Sequence, residues 1–282
     1  MWNGKISHGI LTMKLKIIAS LPMEIIDSHC HLDDFFYEGK IDEVLANAQH
    51  ASITKMIAVG THPKDWEFYA EFVRNHKNVF YTVGLHPLVA ENMEEVEGLQ
   101  NFLGKEIKPV AIGEIGLDYH RLPHEQQAKN ENVEFQKHIF SKQLKLAKAN
   151  NLPVVIHSRQ AFDDTFDILI NSSIPGNRVL FHCYGYGIPE MEKLKSFGAF
   201  ISFAGTLTFR KEQIEPLKVA SLDKLLIETD CPFLTPEPHR PKRNEPAFIR
   251  ATARFAANVL NMSENDFCQL TYQNTEKFFL LK

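Results

Sequence analysis

Eight short apolar runs, each followed by a stretch with helical spacing, constrain this 282-residue chain more than any other feature. The runs are MEIID (23–27), KMIAVG (55–60), VFYTVG (79–84), PVAIGE (109–114), PVVIH (153–157), RVLFH (178–182), AFISFAG (199–205) and KLLIETD (224–230). Their Val, Ile, Leu and Phe are nearly continuous rather than alternating with polar residues, the pattern of strands covered on both faces in a parallel sheet. Between the runs, apolar residues recur at i, i+3, i+4 and i+7: Ile41, Val44, Leu45 and Ala48, then Trp66, Tyr69, Ala70 and Val73. Val133, Phe140, Leu144 and Ala147 make a further stripe. PEMEKLKSFG (189–198) has Pro at its start and Gly at its end, as helices do. Ser263, with Asp266 three residues on, reads as a capping box that opens the last helix.

Strand alternating with helix implies right-handed βαβ units. Eight of them in a chain of this length predict an α/β fold, a single (β/α)8 TIM barrel with its chemistry at the C-terminal ends of the strands. A doubly wound open sheet is the rival architecture, but no run is followed by the G-x-G-x-x-G turn of its dinucleotide-binding form. No linker rich in Pro, Gly or Ser divides the chain, so residues 23–282 read as one barrel domain. Residues 1–22 read as a dispensable N-terminal extension: MKLKIIASLP (13–22) has two lysines and an apolar patch, but the patch is too short for an export signal and ends in Pro.

Composition narrows the class. At 44% hydrophobic and 23% charged the chain is globular rather than disordered. A formal charge of −4 argues against coating nucleic acid through the overall field, and leaves room for a local positive site. Four cysteines (Cys30, Cys183, Cys231, Cys268) without a CxxC pair fit a reduced, cytoplasmic setting. No apolar run reaches transmembrane length, so no membrane association is expected, and no feature calls for a stable protein partner.

The polar residues fall where a barrel does its chemistry. In DSHCHLDD (27–34) strand alternation turns His29 and His31 to one side and Cys30 to the other. Glu114, His157, His182 and Asp230 end the fourth, fifth, sixth and eighth runs. Taken singly, His157 and His182 each read better as a hydrogen-bonded core residue than as a ligand. Six such groups at equivalent strand ends converge on one axis and read together as a metal site. Four imidazoles and two carboxylates exceed what one tetrahedral zinc takes. The surplus points to two divalent ions (Zn, Mg or Mn) that share a carboxylate. Four positive charges, less two carboxylates and a hydroxide, leave about one positive charge facing the substrate, which suits a phosphodiester. HRPKRNEP (239–246) concentrates Arg240, Lys242 and Arg243 past the last strand. Arg243 and Arg159 are the expected phosphate clamps. His62 and His86 follow the second and third runs and are expected to contact a phosphate or the metal water. The cysteines beside the ligands are expected to turn away from them, and Tyr119, Tyr184 and Tyr186 are candidates to stack on unpaired bases.

DSHCHLDD, VGLHP (83–87), AIGEIGLDY (111–119), PVVIHSR (153–159), FHCYGYG (181–187), ISFAGTLTF (201–209), LLIETDCPFLTP (225–236) and RPKRNEP (240–246) together resemble the motif series of the TatD-related metal-dependent deoxyribonucleases. The resemblance runs from about Met23 to the C-terminus and implies a TIM-barrel hydrolase with a two-metal centre. Carried over by position, His29, His31 and Asp230 would hold one ion and His157 and His182 the second, with Glu114 bridging. The related phosphotriesterases use a carbamylated lysine as the bridge, where this chain has Glu114. Two departures bear on substrate preference: Tyr184-Gly185-Tyr186-Gly187 stands where the family commonly has Ser-Gly, and Pro241 where Gly is usual. The expected function is cleavage of DNA, with RNA as the related substrate, at single-stranded ends. In it Asp230, with Glu114, serves hydroxide activated by two metals. A metal-dependent ester or amide hydrolase, such as an aminoacyl-tRNA deacylase, is the alternative. An inactive metal-binding scaffold is disfavoured because all six ligands are present.

Overall fold

The computed structural model describes residues 23–90 and 92–281, so the expected extension, residues 1–22, lies outside the described residues. The strands are β1 (Ile25–Cys30), β2 (Ile53–Gly60), β3 (Val79–Val83), β4 (Ala111–Asp118), β5 (Val154–Arg159), β6 (Val179–Phe181), β7 (Phe200–Phe203) and β8 (Leu225–Ile227). They form one sheet in sequence order, each parallel to its neighbour. The seam between β8 and β1 closes through a bridge at Cys30 and Cys231 and two hydrogen bonds, His31 N–H to the Cys231 carbonyl (2.8 Å) and Asp230 N–H to the His29 carbonyl (2.9 Å). The fold is the TIM barrel that the eight runs predict.

Among the described residues the helices are α1 (Asp33–Tyr37), α2 (Ile41–His50), α3 (Pro63–Asn75), α4 (Glu94–Phe102), α5 (Gln126–Ala149), α6 (Phe162–Ser172), α7 (Ile188–Phe197), α8 (Ile214–Val219), α9 (Ile249–Val259) and α10 (Glu264–Phe279). Their buried stripes follow the apolar spacing, with Ile41, Val44 and Ala48 inward on α2 and Trp66, Tyr69 and Phe72 inward on α3. Ser263 caps α10 by accepting the Asp266 N–H, and Gly198 ends α7 at φ +87°. None of these helices is long and apolar enough to cross a membrane.

The inside of the barrel is layered by strand parity. Ile57, Ala111, Val155, Leu180, Phe200 and Leu226 form an apolar floor, closed from below by Phe278 and Phe279 at the end of α10. Two residues farther along the strands, the same faces carry His157, Ser202 and Glu228, with His182 just past the end of β6. Glycine permits the tight fit at the top of β4: Gly116 sits at φ +144°, and a Cβ there would lie 1.9 Å from the His157 carbonyl oxygen.

Helix α5 starts well before the stripe at Val133 and runs for 24 residues. Its buried face includes two glutamines. Gln136 accepts the Asp118 N–H (2.8 Å) and donates to the Asp118 carbonyl (3.1 Å), and Gln143 does the same for Leu85 (2.7 and 3.0 Å). These backbone groups lie where the ladder gives out, and an unpaired buried amide is costly, so the side chains replace strand partners. They fix Asp118 and the residue preceding His86.

Candidate metal centre

Glu114 sits at the middle of the mouth with four imidazoles around it. His157 Nδ1 and His182 Nε2 lie 2.6 and 2.7 Å from its Oε1, and His86 Nε2 lies 3.4 Å from the same oxygen. His29 Nε2 is 3.3 Å from Oε2. Asp230 faces the other side of the group, 3.6 Å from His29 Nε2 and 3.4 Å from His31 Nε2. The His29 and His182 rings stack at 4.0 Å. Three overlapping donor sets result, each within ion-coordinating reach: His29, His31 and Glu114; His29, His182 and Asp230; and His86, Glu114 and His157.

The electrostatics favour positive charge at this point. Burial alone would raise Glu114, but the charges of His182 and His86 and hydrogen bonds from His157 and His182 hold its carboxyl well below the usual range. Asp230 is lowered in the same way, burial being outweighed by His31 and His29. Burial would lower His31, yet its bond to Asp230 and the charges of Asp230 and Glu114 lift it to about 9. His182 is likewise raised, against its burial, by Glu114 and Glu228. Protons and metal cations compete for such a pocket.

The residues fit divalent ions on a separate ground. His29 is completely buried, and neither of its ring nitrogens has a hydrogen-bond partner of good geometry. An unsatisfied buried polar group costs roughly 1–3 kcal/mol, and a ligated cation removes that cost. Two carboxylates outside the ring of donors set the histidine tautomers. Glu228, fully buried, accepts from His182 Nδ1 (3.2 Å) and from the Ser202 hydroxyl, which leaves His182 Nε2 facing Glu114. Asp118 accepts from His157 Nε2 (3.0 Å), so His157 presents Nδ1. Beneath them Asp27 accepts from the Thr229 N–H, the Thr229 hydroxyl and the His29 N–H, and burial pushes its carboxyl up to about 7.

These three carboxylates do not figure among the residues expected from sequence, although each carries a readable signal. Glu228 has the parity of Leu226, Asp118 the parity of Glu114, and Asp27 the parity of His29.

The group opens into a cavity of about 1020 Å³ whose lining includes Arg121, Arg159 and Arg210 as well as Asp33, Asp34 and Asp65. All three arginines are exposed. The arginine ion pairs within 4 Å among the described residues involve Arg74, Arg243, Arg250 and Arg254; the cavity arginines make none, and Arg159 acts on the Asp118 carboxylate only at longer range. A second depression of about 580 Å³, lined by Asp42, Gln49, Thr54 and Asn78 among others, lies at the strand starts and holds no comparable donor set.

The ten expected site residues therefore divide. His29, His31, Glu114, His157, His182 and Asp230 come together, His86 joins them, and Arg159 lines the cavity. His62 instead caps α3, its Nδ1 accepting the Lys64 N–H (3.3 Å). Arg243 does not line the cavity. Its guanidinium pairs with Glu38 (2.6 Å) and Asp34 (3.4 Å) over the ring of Phe35, and so braces α1. Tyr184 is buried, with its hydroxyl on the Gly187 carbonyl, which removes it as a base platform. Cys30 and Cys231 are buried against backbone carbonyls, but Cys183 lines the cavity: β6 has ended by Phe181, and at φ +45° strand alternation no longer governs its direction.

Comparison with known proteins agrees with this geometry. The model of the family described as TatD related DNase matches residues 26–280. The uncharacterized metal-dependent hydrolase YcfH of Escherichia coli is 34% identical over 262 residues, which cover 91% of this chain and 96% of that protein. The uncharacterized metal-dependent hydrolase YabD of Bacillus subtilis is 32% identical over 90% of this chain and 98% of its own length. The crystal structure of YjjV, a TatD homologue from Escherichia coli, superposes with a TM-score of 0.83 at 26% identity, over 92% of this chain and 98% of that one. With nearly the whole barrel matched and the histidine–carboxylate group at its mouth, the chain belongs to the TatD related DNase family and is a metal-dependent hydrolase.

Proposed function

We propose that the chain hydrolyses phosphodiester bonds of DNA, working from single-stranded ends, with RNA as the chemically related substrate. The observation that carries this reading is the trio Arg121, Arg159 and Arg210, three exposed guanidinium groups that make no direct ion pair in the cavity that holds the donor sets. Guanidinium forks suit phosphate oxygens, and leaving three of them uncompensated favours an anionic ligand with several phosphates. Two divalent ions (Zn, Mg or Mn), one on His29, His31 and Asp230 and one on His157 and His182 with Glu114 shared, would supply hydroxide at neutral pH and charge opposite the developing phosphoryl oxyanion.

The remaining work falls to the chain. Asp230, held ionised by its histidine neighbours, accepts the proton of the attacking water. Glu228 and Asp118 keep His182 and His157 in single tautomers, so the donors do not reorganise during turnover. His86 lies within reach of the same oxygen of Glu114 and adds a neutral donor beside the reacting phosphate, burial holding its pKa down. Arg159 and Arg210 fix the strand on either side of it. The four unpaired thiols accord with a cytoplasmic setting.

The test is turnover by one metal-loaded preparation of end-labelled single-stranded oligonucleotide and of an aminoacyl ester, with and without chelator. Chelator-sensitive release of nucleotides supports the reading. Turnover of the ester alone would replace it with ester or amide hydrolysis.

A further inference from the structure

Phe233 is an unusual residue to leave in water. It follows Asp230 by three positions, its ring is 58% exposed, and it stands at the wall of the cavity. Leu88 and Val89 are the other exposed large apolar side chains lining that cavity, each less than 40% exposed, and neither is aromatic. The other exposed aromatic residues lie away from the cavity: Phe36 and Tyr37, the latter 70% exposed, pack on Phe68, and Phe209 lies under the Arg240 guanidinium. Phe233 has a single ring contact, with His31 at 6.1 Å.

Its backbone is held firmly in place. The Phe233 N–H donates to the Asp230 carbonyl (3.0 Å). Its carbonyl accepts from the fully buried Asn244 side chain (2.6 Å), which also holds the Thr229 carbonyl (2.9 Å). The loop that follows lies against the one bearing Arg210. A Cβ on Gly205 would meet the Leu234 carbonyl oxygen at 2.1 Å, and the Glu237 N–H donates to the Thr208 hydroxyl (2.8 Å). An exposed aromatic side chain on a firmly held backbone thus stands beside His31, on a loop packed against the one that leads to Arg210.

We infer that Phe233 is a base-stacking platform, which selects substrates carrying an unpaired nucleobase next to the phosphate that is cut. The inference rests on the phosphodiester reading above and names the feature of the substrate that the site recognises. A flat π-face beside a phosphate is what distinguishes a nucleotide from an inorganic or aliphatic phosphodiester, and stacking on an aromatic side chain is tolerant of base identity. The platform therefore predicts preference for unpaired bases with little sequence preference.

The test compares two single-stranded oligonucleotides that differ only in having normal or abasic residues at their ends, cut by the metal-loaded full-length chain. The readout is the ratio of kcat/KM for the normal strand to that for the abasic strand, in which effects on folding and metal content cancel. The wild type is expected to favour the normal strand by roughly 5- to 150-fold, the range of one base–aromatic stack. Phe233→Ala should bring the ratio close to one, and Phe233→Trp should restore it. A wild-type ratio near one, or a Phe233→Ala ratio equal to that of the wild type, overturns the platform and leaves the phosphodiester reading standing. A wild-type chain that cuts neither strand overturns that reading, and the platform with it.

Discussion

The two ends of the barrel interior are built from the same strands and face the same axis, yet they obey opposite rules. At the floor, Ile57, Val155, Leu180, Phe200 and Leu226 meet Phe278 and Phe279, and stability comes from removing apolar surface from water. At the mouth, two residues onward, His182 and Glu228 are buried and His157 largely so, but each is tolerated only because another polar group answers it. A floor residue is worth its volume. A mouth residue is worth its partners, and His29 shows the limit, an enclosed ring whose nitrogens lack good hydrogen-bond partners.

The contrast is sharpest at Asp230. Asp230→Asn keeps the shape of the side chain and removes its capacity to take a proton, so turnover per folded, metal-loaded molecule should fall by about 10²–10⁴-fold while the fold persists. Retention of more than about a tenth of wild-type turnover would exclude this residue as the base. The floor should respond in reverse. Phe278→Ala removes a buried ring at the base of the barrel and should cost about 3–5 kcal/mol of stability, a drop in Tm of roughly 6–20 °C, while the rate per folded molecule persists.

Next in size is a pH effect confined to the mouth. His31, at about 9 in the metal-free protein against an unfolded value near 6.5, makes the native state bind more protons than the unfolded state between those limits. The stability it contributes is present below about 6.5 and is lost as pH rises to about 9, on the order of 3 kcal/mol. Denaturant melts in chelator should show that loss, and it should shrink with saturating metal, which displaces the proton. Opposite behaviour, stability rising from pH 6.5 to 9 in chelator, would disprove the proton–cation competition. The smallest effect belongs outside both layers. Arg243→Ala breaks a partly exposed pair with Glu38 and Asp34 and should cost under about 1 kcal/mol, leaving the salt dependence of oligonucleotide binding as it is. Arg210→Ala, by contrast, should weaken binding and lower the salt slope by about one. Equal slopes in the two variants would show that the cavity arginines do not carry the phosphates.

The difference between the layers also explains what could be read from the residues alone. The floor and the strands are legible because a strand buried on both faces leaves a continuous apolar run, and His157 within β5 and His182 just past β6 stand out against it. Strand limits were less so: β6 and β8 stop at Phe181 and Ile227, since the polar residues that follow leave the ladder to face the site. Strand β4 continues to Asp118 because Gly113 and Gly116, which break the apolar pattern, are what allow it to lie against β5. The basic loop misled for a physical reason. The partners that claim Arg243 lie 205 and 209 residues away, and no local pattern announces them. Arg210 and Phe233 were hidden by the converse: each is ordinary in its own segment, and only the packing of two loops puts them at one opening.

The seam between β8 and β1 gives the molecule a chronology. Asp27 is tied to Thr229 across 202 positions of chain, and the His29 carbonyl receives the Asp230 N–H. On a ribosome adding about 5–20 residues per second, the two halves of this clasp are made roughly 10–40 s apart. His29 and His31 leave the tunnel long before Asp230 and wait without that carboxylate, while Glu114, His157 and His182 can assemble before Asp230 exists. The barrel therefore closes, and the pocket becomes whole, only after the Thr229–Cys231 segment has been made. A nascent chain stalled before Asp230 carries histidines but no finished site.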